Sequence, residues 1–425
     1  MSEISDMIQR LCPDGVEYRK FFDVAEYVRG ITYNKSSEAK SNDGIKVLRA
    51  NNITLLRNTL NFDDLKIVDW SVKVSSKQRL LKNDILICAG SGSKDHIGKV
   101  AFITEDMQGY TFGGFMAVVR VNPNVIIPRY MFHILTGQIF KKHLEVEIDS
   151  STINNLNAGI MNSLEIPVPP LEVQRKIVEV LDNFSELTAE LTAELTARQK
   201  QYEYYRDNLL NFNRGGQVAS DVTWMKLGDV LHSIRTGLNP RKFFSLNTPD
   251  ATNYYVTIRE IKGGVLSFSE QTDRINNDAL ELCNNRSNLS IGDVLFSGTG
   301  TIGETYVIEE TPYNWNIKEG VYSLKPNIEL VNSFYLKYIL CARYIKDRYL
   351  SLAEGGTVKS VSMKQLSNLL IPIPPLSEQE RIVSILDRFE ALTTDLTSGL
   401  PAEIKARQQQ YEYYRDQLLT FKRAN

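Results

Sequence analysis

Cysteine is scarce in this 425-residue chain, and its four residues, Cys12, Cys88, Cys283 and Cys341, stand far apart with no C-x-x-C pair. That argues against a disulfide framework or a zinc knuckle and fits a reducing cytoplasm. Long apolar runs are missing too: no stretch approaches roughly 18 uninterrupted apolar residues, so no membrane span is expected. The N-terminal MSEISDMIQRLCPDG holds no apolar run of the secretory kind. The four histidines, His96, His133, His143 and His232, form no metal-ligand spacing. A basic excess is also lacking, with 49 Lys+Arg against 51 Asp+Glu. By segment, 1–165 has 20 Lys+Arg against 19 Asp+Glu, 166–213 has 5 against 8, 214–370 has 17 against 16, and 371–425 has 7 against 8. None carries the strongly basic footprint of a protein that binds DNA alone through phosphates. The remaining composition, 42% hydrophobic and 24% charged, is that of a globular protein with length for two or three domains.

What is present is a duplication. IPVPPLEVQRKIVEVL at 166–181 returns 205 residues later as IPIPPLSEQERIVSIL at 371–386. QYEYYRDNLLNF at 201–212 returns 209 residues later as QYEYYRDQLLTF at 410–421, so the second copy holds four extra residues between the blocks. Fainter repeats link VEYRKFFDV (16–24) to VTWMKLGDV (222–230), LLKNDILICAGSG (80–92) to NLSIGDVLFSGTG (288–300), and SSTINNL (150–156) to GGTVKSV (355–361). The organisation is therefore globular, helix, globular, helix, with boundaries at 1–165, 166–213, 214–370 and 371–425. Strands are expected at Ile45–Arg49, Asp84–Cys88, Val118–Val121, Val256–Ile258 and Val294–Phe296, and helices at Tyr130–Leu144 and Ser333–Leu350. Each globular module is mixed α/β, and the fold class of the whole is α+β.

Segment 171–212 predicts one continuous helix. Pro169-Pro170 ends an extended run, Glu172 falls in the first turn, and no Gly or Pro follows until Gly215. Leu181, Thr188, Leu195, Tyr202 and Leu209 recur every seven residues, and Phe184, Leu191, Arg198, Tyr205 and Phe212 follow three residues behind, the spacing of a coiled-coil seam. The second copy keeps the seam at Leu386/Phe389, Thr393/Leu396, Leu400, Arg407, Tyr411/Tyr414 and Leu418/Phe421. Its four extra residues make a stutter, and Gly399 with Pro401 predicts a kink or break between Ser398 and Pro401. Most amphipathic helices pack only on their own domain. Two copies of one long seam point instead to an intramolecular antiparallel coiled coil. The tyrosine-rich ends, with Tyr204, Tyr205, Tyr413 and Tyr414, offer interface-type surface, and periodicity leaves open whether they close the seam or meet another protein.

Catalytic chemistry has no evident carrier. A glycine-rich methyl-donor turn with an Asn/Asp-Pro-Pro-aromatic or Pro-Cys element is missing, and every Pro-Pro lies in IPVPPL or IPIPPL. The stretch from Gly92 to Val100 has its glycines six apart and Val100 where a phosphate loop needs Ser or Thr, so it reads as a turn between strands. Asp84 and Asp293 are matched, but each precedes a strand and suits turn-holding. His133, on an expected helix, suits packing. No carboxylate pair recurs in both modules, so neither catalysis nor a cofactor is expected.

The duplicated IP[VI]PPL, followed by a helix ending QYEYYRD-x-LL with Glu-Leu-Thr-Ala repeats at 186–197 between, resembles the specificity subunits (HsdS) of type I restriction–modification systems. The resemblance covers essentially the whole chain in its order of parts. It implies two target-recognition domains held apart by antiparallel helices, each reading one half of a bipartite target in double-stranded DNA. It also implies methyl transfer in partner methyltransferase subunits, two of them, and translocation and cleavage in restriction subunits. Partners can then supply phosphate contacts while this chain reads base edges, which answers the missing basic excess. Readout wants Arg, Lys, Asn, Gln, Ser or Thr on loops. The candidates are Arg49, Asn51 and Asn52 after a strand; Ser91, Ser93 and Lys94 in the glycine loop; and Arg235, Arg241, Lys242, Arg259, Thr301, Thr357 and Lys359 in the second module. For each, the alternative is a solvated or turn-capping residue. Two other functions stay open, a protein-binding coiled-coil adaptor and a stand-alone DNA-modifying enzyme.

Overall fold

The computed structural model describes residues 2–54, 58–92, 96–149, 155–212, 221–356, 358–394 and 399–424. They form two compact units, Met1–Ala189 with Lys405–Asn425, and Glu190–Ile404. The first unit runs α1 (Ser2–Leu11), β1 (Tyr18–Lys20), α2 (Phe21–Val24), β2 (Ala25–Arg29), β3 (Ile45–Leu48), β4 (Lys66–Val68), β5 (Ile85–Cys88), β6 (Val100–Phe102), β7 (Tyr110–Phe112), β8 (Met116–Val121), α3 (Pro128–Thr136), α4 (Gln138–Asp149), α5 (Ala158–Ser163), β9 (Glu165–Pro167) and the head of α6 (Leu171–Leu209). Strands β2-β8-β5-β6 make an antiparallel sheet, β4-β3-β7 a second with β3 and β7 parallel, and β1 pairs with β9. The sequence of β5 shows why the two sheets share a core. Its alternate residues Ile85 and Ile87 face the cluster around α3, while Leu86 and Cys88 face Leu48, Phe112 and Met116. A strand buried on both sides has to be apolar throughout, and Ile-Leu-Ile-Cys is.

The second unit repeats the plan. It takes the tail of α6 and then β10 (Thr223–Lys226), β11 (Leu231–Thr236), α7 (Pro240–Phe243), β12 (Asn253–Val256), β13 (Ile261–Lys262), β14 (Val265–Leu266), β15 (Arg274–Ile275), α8 (Asn277–Ser287), β16 (Val294–Ser297), β17 (Thr305–Val307), β18 (Trp315–Ile317), β19 (Val321–Pro326), α9 (Ser333–Cys341), α10 (Arg343–Ser351), α11 (Met363–Ser367), β20 (Leu370–Ile373) and α12 (Leu376–Thr394). The last helix, α13 (Leu400–Leu418), starts here and ends in the first unit. Strands β11-β19-β16-β17 correspond to β2-β8-β5-β6, and β15-β12-β18 to β4-β3-β7, with β12 and β18 again parallel. Val294 and Phe296 of β16 face one cluster and Leu295 the other.

The repeated helix-start motif has a structural reason. Gln174 is fully buried; its Oε1 accepts the Ile127 N–H at 2.8 Å, and its Nε2 donates to the carbonyls of Val125 at 3.0 Å and Pro169 at 2.8 Å. Gln379 repeats this with the Asn332 N–H at 2.8 Å and the carbonyls of Leu330 and Pro374 at 3.0 and 2.8 Å. Each glutamine locks the head of a long helix to the Pro-rich run before it and to the loop entering α3 or α9. Tyr130 and Tyr335 add a matched bond to the carbonyls of Pro167 and Pro372. Asp84 and Asp293 hold the expected turns, accepting the N–H of Leu81 and of Ser290, and each is buried against a cation, Arg120 or Lys325.

Both units also draw on the end of a long helix. Val173, Ile177 and Leu181 of α6 share the first core with Leu418 and Leu419, and Phe184 stacks on Tyr414 at 5.3 Å. In the second, Ile382, Val383 and Leu386 of α12 share the core with Leu210, and Tyr205 stacks on Phe389 at 5.4 Å. Midway along α6, Thr192 is buried while Leu191 and Leu195 are only half-buried.

Four expectations are corrected. The helix at 130–144 is broken at Gly137, whose extended backbone (ψ 178°) separates α3 from α4, and the helix at 333–350 is broken at Ala342 (ψ 132°). The N–H groups freed at the second start go to carboxylates at the long-helix tails, Gln138 to Asp416 at 3.2 Å and Arg343 to Asp207 at 3.1 Å. The strand at 256–258 ends at Val256, because Glu260 turns back to accept the Thr257 N–H. Helix α6 ends at Leu209 rather than 212. The second long helix is interrupted: α12 ends at Thr394 and α13 starts at Leu400. Of the expected break between Ser398 and Pro401, Ser398 lies outside the described residues; Pro401 lies in the first turn of α13, where a missing N–H costs nothing.

Candidate nucleic-acid interface

In the first unit, β3 delivers Arg49, Asn51 and Asn52 on one tight turn, the last residues of which form a 3₁₀ helix. Asn52 is buried and structural: its Oδ1 accepts the Arg49 N–H at 2.9 Å and its Nδ2 donates to the Asn61 carbonyl at 2.9 Å. Arg49 and exposed Asn51 both donate to Asp64, through Nη2 at 2.9 Å and Nδ2 at 3.0 Å. Arg49 Nε is buried and has no hydrogen-bond partner among the described residues.

Backbone bonds join this turn to the glycine loop. The Gly113 N–H donates to the Leu48 carbonyl, and the Phe115 carbonyl accepts from Ala89 and Gly90. Lys99, whose pKa burial lowers, donates to the Ile53 carbonyl at 2.9 Å and to His96 Nδ1 at 3.1 Å. Ser91 is half-buried on this rim, while Ser93 and Lys94 lie outside the described residues. Arg29 braces the rim from beneath, donating to the carbonyls of Gly114 and Leu156 and to Asn155 Oδ1.

In the second unit the turn Thr257–Glu260 stands where Arg49–Asn52 does. Arg259 is exposed and donates through Nη2 to Asp273 at 2.8 Å and through Nε to Thr257 Oγ1 at 3.4 Å. Thr301 and Lys359 are brought close together, because Gly300 donates its N–H to the Lys359 carbonyl and Thr299 bridges Ser360. Thr357 lies outside the described residues. Arg241 and Lys242 are exposed on α7, whose start Asn239 caps by accepting the Arg241 N–H. Arg235 is half-buried on β11, opposite Ser323. Of the described candidates, Arg49, Asn51 and Asn52 share one turn and Ser91 lies on the glycine loop in the first unit. In the second, Arg259 stands on a turn, Thr301 and Lys359 lie near each other, Arg241 and Lys242 are on α7, and Arg235 is on a strand.

Sequence reasoning passed over Asp64 and Asp273, which hold the turn residues, and Phe115, which is 74% exposed on the glycine-loop rim. The two acids carry no local signal, because they reach the turns from the segments that lead into β4 and β15. Phe115 was legible as a large aromatic after Gly113-Gly114, a pair that leaves the backbone room to turn.

The helix tyrosines split into two kinds. Tyr204 and Tyr413 are 66% and 61% exposed, whereas Tyr205 and Tyr414 use one ring face on Phe389 and Phe184. His133 is fully buried between long-helix ends: Tyr411 donates its hydroxyl to Nδ1 at 2.9 Å and Nε2–H donates to Asp182 at 3.0 Å. Burial lowers the His133 pKa against the pull of Asp182. Asp182 is opposed by its own burial, yet hydrogen bonds from His133 and Arg129 hold it at about 2. Among the described residues no group of three His, Cys, Asp or Glu is placed to hold a metal, and no helix is long and apolar enough to cross a membrane. All four cysteines are free.

Two copies of one scaffold, each with a polar rim and a long helix, define a duplicated two-module protein. The family model of the type I restriction modification DNA specificity domain matches the chain twice, over residues 13–198 and 219–406. The chain belongs to the type I restriction–modification specificity subunits, which are the non-catalytic members of those systems. A Haemophilus influenzae protein assigned as a type I restriction enzyme specificity subunit is 34% identical over 77% of this chain and 84% of its own length. The EcoR124I/EcoR124II specificity subunit of Escherichia coli is 31% identical over 60% of this chain and 63% of its own. A chain from a structure of the type I R-M system, described for complex assembly and conformational transition, matches in fold with TM-score 0.57 at 18% identity, covering 95% of this chain and 97% of that one.

Proposed function

We propose that each globular module, 1–165 and 214–370, reads one half of a bipartite DNA target, and that the long helices, 166–213 and 371–425, bind two methyltransferase subunits and set the distance between the half-sites. The observation that carries this is the pairing of a kept scaffold with changed rims. Gln174 and Gln379, Tyr130 and Tyr335, and Asp84 and Asp293 make the same bonds in both units. The turn residues at matched rim positions differ: Arg49-Ala50-Asn51-Asn52 against Thr257-Ile258-Arg259-Glu260. A scaffold held constant under differing polar tips suits two readers of two different sequences.

In this reading the rim candidates, Arg49, Asn51, Ser91, Ser93 and Lys94 in one module and Arg235, Arg241, Lys242, Arg259, Thr301, Thr357 and Lys359 in the other, face DNA, and Asn52 shapes its turn. Tyr204, Tyr205, Tyr413 and Tyr414 dock the methyltransferase subunits, with Tyr204 and Tyr413 offering the larger free surface. Restriction subunits join that assembly, and the complex works on cytoplasmic DNA. Mapping methylated bases in cells expressing the chain with its methyltransferase partners tests this. Two specified blocks separated by unread bases are expected; a single contiguous block, or methylation without sequence preference, contradicts it.

A further inference from the structure

We propose that Asn51 and Arg259 are equivalent base-naming residues, Asn51 for an adenine in one half-site and Arg259 for a guanine in the other, with Asp64 and Asp273 as their positioning residues. This rests on the reading of each module as the reader of one half-site. The equivalence follows from backbone geometry. Both residues stand third after a strand whose last residue pairs in parallel with the neighbouring strand, Leu48 with Phe112 and Val256 with Ile317. Both sit in a four-residue turn whose fourth side chain accepts the N–H of the first, Asn52 from Arg49 at 2.9 Å and Glu260 from Thr257 at 2.8 Å. The scaffold of the turn is the same, and the side chain it carries outward has changed.

An aspartate tether recurs in both. Asp64 takes the outer nitrogen of Asn51 at 3.0 Å, and Asp273 takes Nη2 of Arg259 at 2.8 Å. Each acid enters from the segment leading into the antiparallel neighbour, but Asp273 directly precedes β15 while Asp64 stands two residues before β4. The tether therefore recurs although the register does not impose it. Thr257 Oγ1 holds Arg259 at a second point through Nε. A guanidinium so fixed has lost part of its rotamer freedom before binding, while its side chain stays exposed and has N–H donors beyond those two bonds.

The hydrogen-bonding inventory then selects the base. A guanidinium only donates and matches the paired acceptors O6 and N7 of guanine in the major groove. A carboxamide donates and accepts. Asn51 Nδ2 donates to Asp64 Oδ2 at 3.0 Å and more weakly to the Asp64 carbonyl at 3.5 Å. With one N–H shared between these two acceptors, the other N–H and Oδ1 match N7 and the N6 amino group of adenine.

The test uses the full chain assembled with its methyltransferase partners. Methylated sites are mapped for wild type, Arg259→Ala, Asp273→Asn, Asp273→Glu and Asn51→Ala, and competition binding is measured on duplexes substituted one position at a time. Arg259→Ala is expected to turn one specified guanine of one half-site degenerate, with discrimination there falling roughly 5- to 150-fold and the other half-site unchanged. Asn51→Ala does the same at one adenine of the opposite half. Asp273→Asn loosens the position that Arg259→Ala loosens, and Asp273→Glu restores it in part, which a merely structural acid would not do. A bipartite pattern that Arg259→Ala leaves intact, or a uniform loss of binding on every sequence, overturns the inference alone. Specificity unmoved by Asp273→Asn overturns the positioning role. A wild-type complex with no bipartite pattern removes the underlying reading and this inference with it.

Discussion

Replacing Gln174 by alanine isolates what the repeated Pro-Pro-Leu-x-x-Gln motif does. The substitution strands the Ile127 N–H and the carbonyls of Val125 and Pro169, all bonded to one fully buried amide. Each buried polar group left without a partner costs about 1–3 kcal/mol, and water entering the space left by the side chain recovers part of it. About 3 kcal/mol is a reasonable total, a factor of roughly 100 in a local opening equilibrium. Gln174→Glu should cost at least as much, since it removes both donors and places a carboxylate against two carbonyl oxygens. Hydrogen exchange read by mass spectrometry resolves the loss by peptide. The slowest peptides of β5 and α3 should exchange about 100-fold faster, whereas those of β16 and α9 stay near wild type, and Gln379→Ala should give the mirror pattern. A change under about 1 kcal/mol, or an equal loss in both sets of peptides, would refute the glutamine as a local clamp.

Other consequences concern titration, spacing and assembly. Burial keeps His133 neutral in the fold, so on acidification the unfolded chain binds a proton that the folded chain refuses, and stability should fall as pH drops below about 6.5. Asp182, held at about 2 in the fold, adds a further loss as pH falls below about 4. His133→Tyr, the residue found 205 positions on as Tyr338, should flatten the slope between pH 7 and 5.5 in urea titrations read at first-unit peptides; an unchanged slope would assign it to other groups. One more Glu-Leu-Thr-Ala unit in the 186–197 repeat lengthens α6 by about 6 Å with a rotation of about 40°, so the unread spacer should grow by roughly one or two base pairs with both half-sites unchanged. An unaltered spacer in methylation mapping would remove the helices as its ruler. Tyr204→Ala with Tyr413→Ala should weaken methyltransferase binding in sedimentation while circular dichroism stays the same; full assembly would count against their role.

Much of the architecture was legible, because the duplication exposes it. The double-faced strands β5 and β16, the helix starts after Pro-Pro, the turn-holding Asp84 and Asp293 and the break before Pro401 all follow from local pattern. The features that escaped are non-local. Nothing in Tyr130–Leu144 announces a break at Gly137 whose freed N–H is taken by Asp416, 278 residues away. The parallel pairing of β3 with β7 likewise depends on distant partners. At the rim, residue types pointed to Arg49, Asn51 and Arg259. That Asn52 is buried as a turn brace, and that aspartates from the segments before β4 and β15 hold the others, needed the structure.

Exchanging segment 214–370 for the corresponding module of another specificity subunit, then mapping methylation in cells that supply the methyltransferase partners, tests the central claim most directly. One half-site should change while the other, with its orientation, persists. If both halves change, or neither does, the assignment of one module to one half-site is wrong.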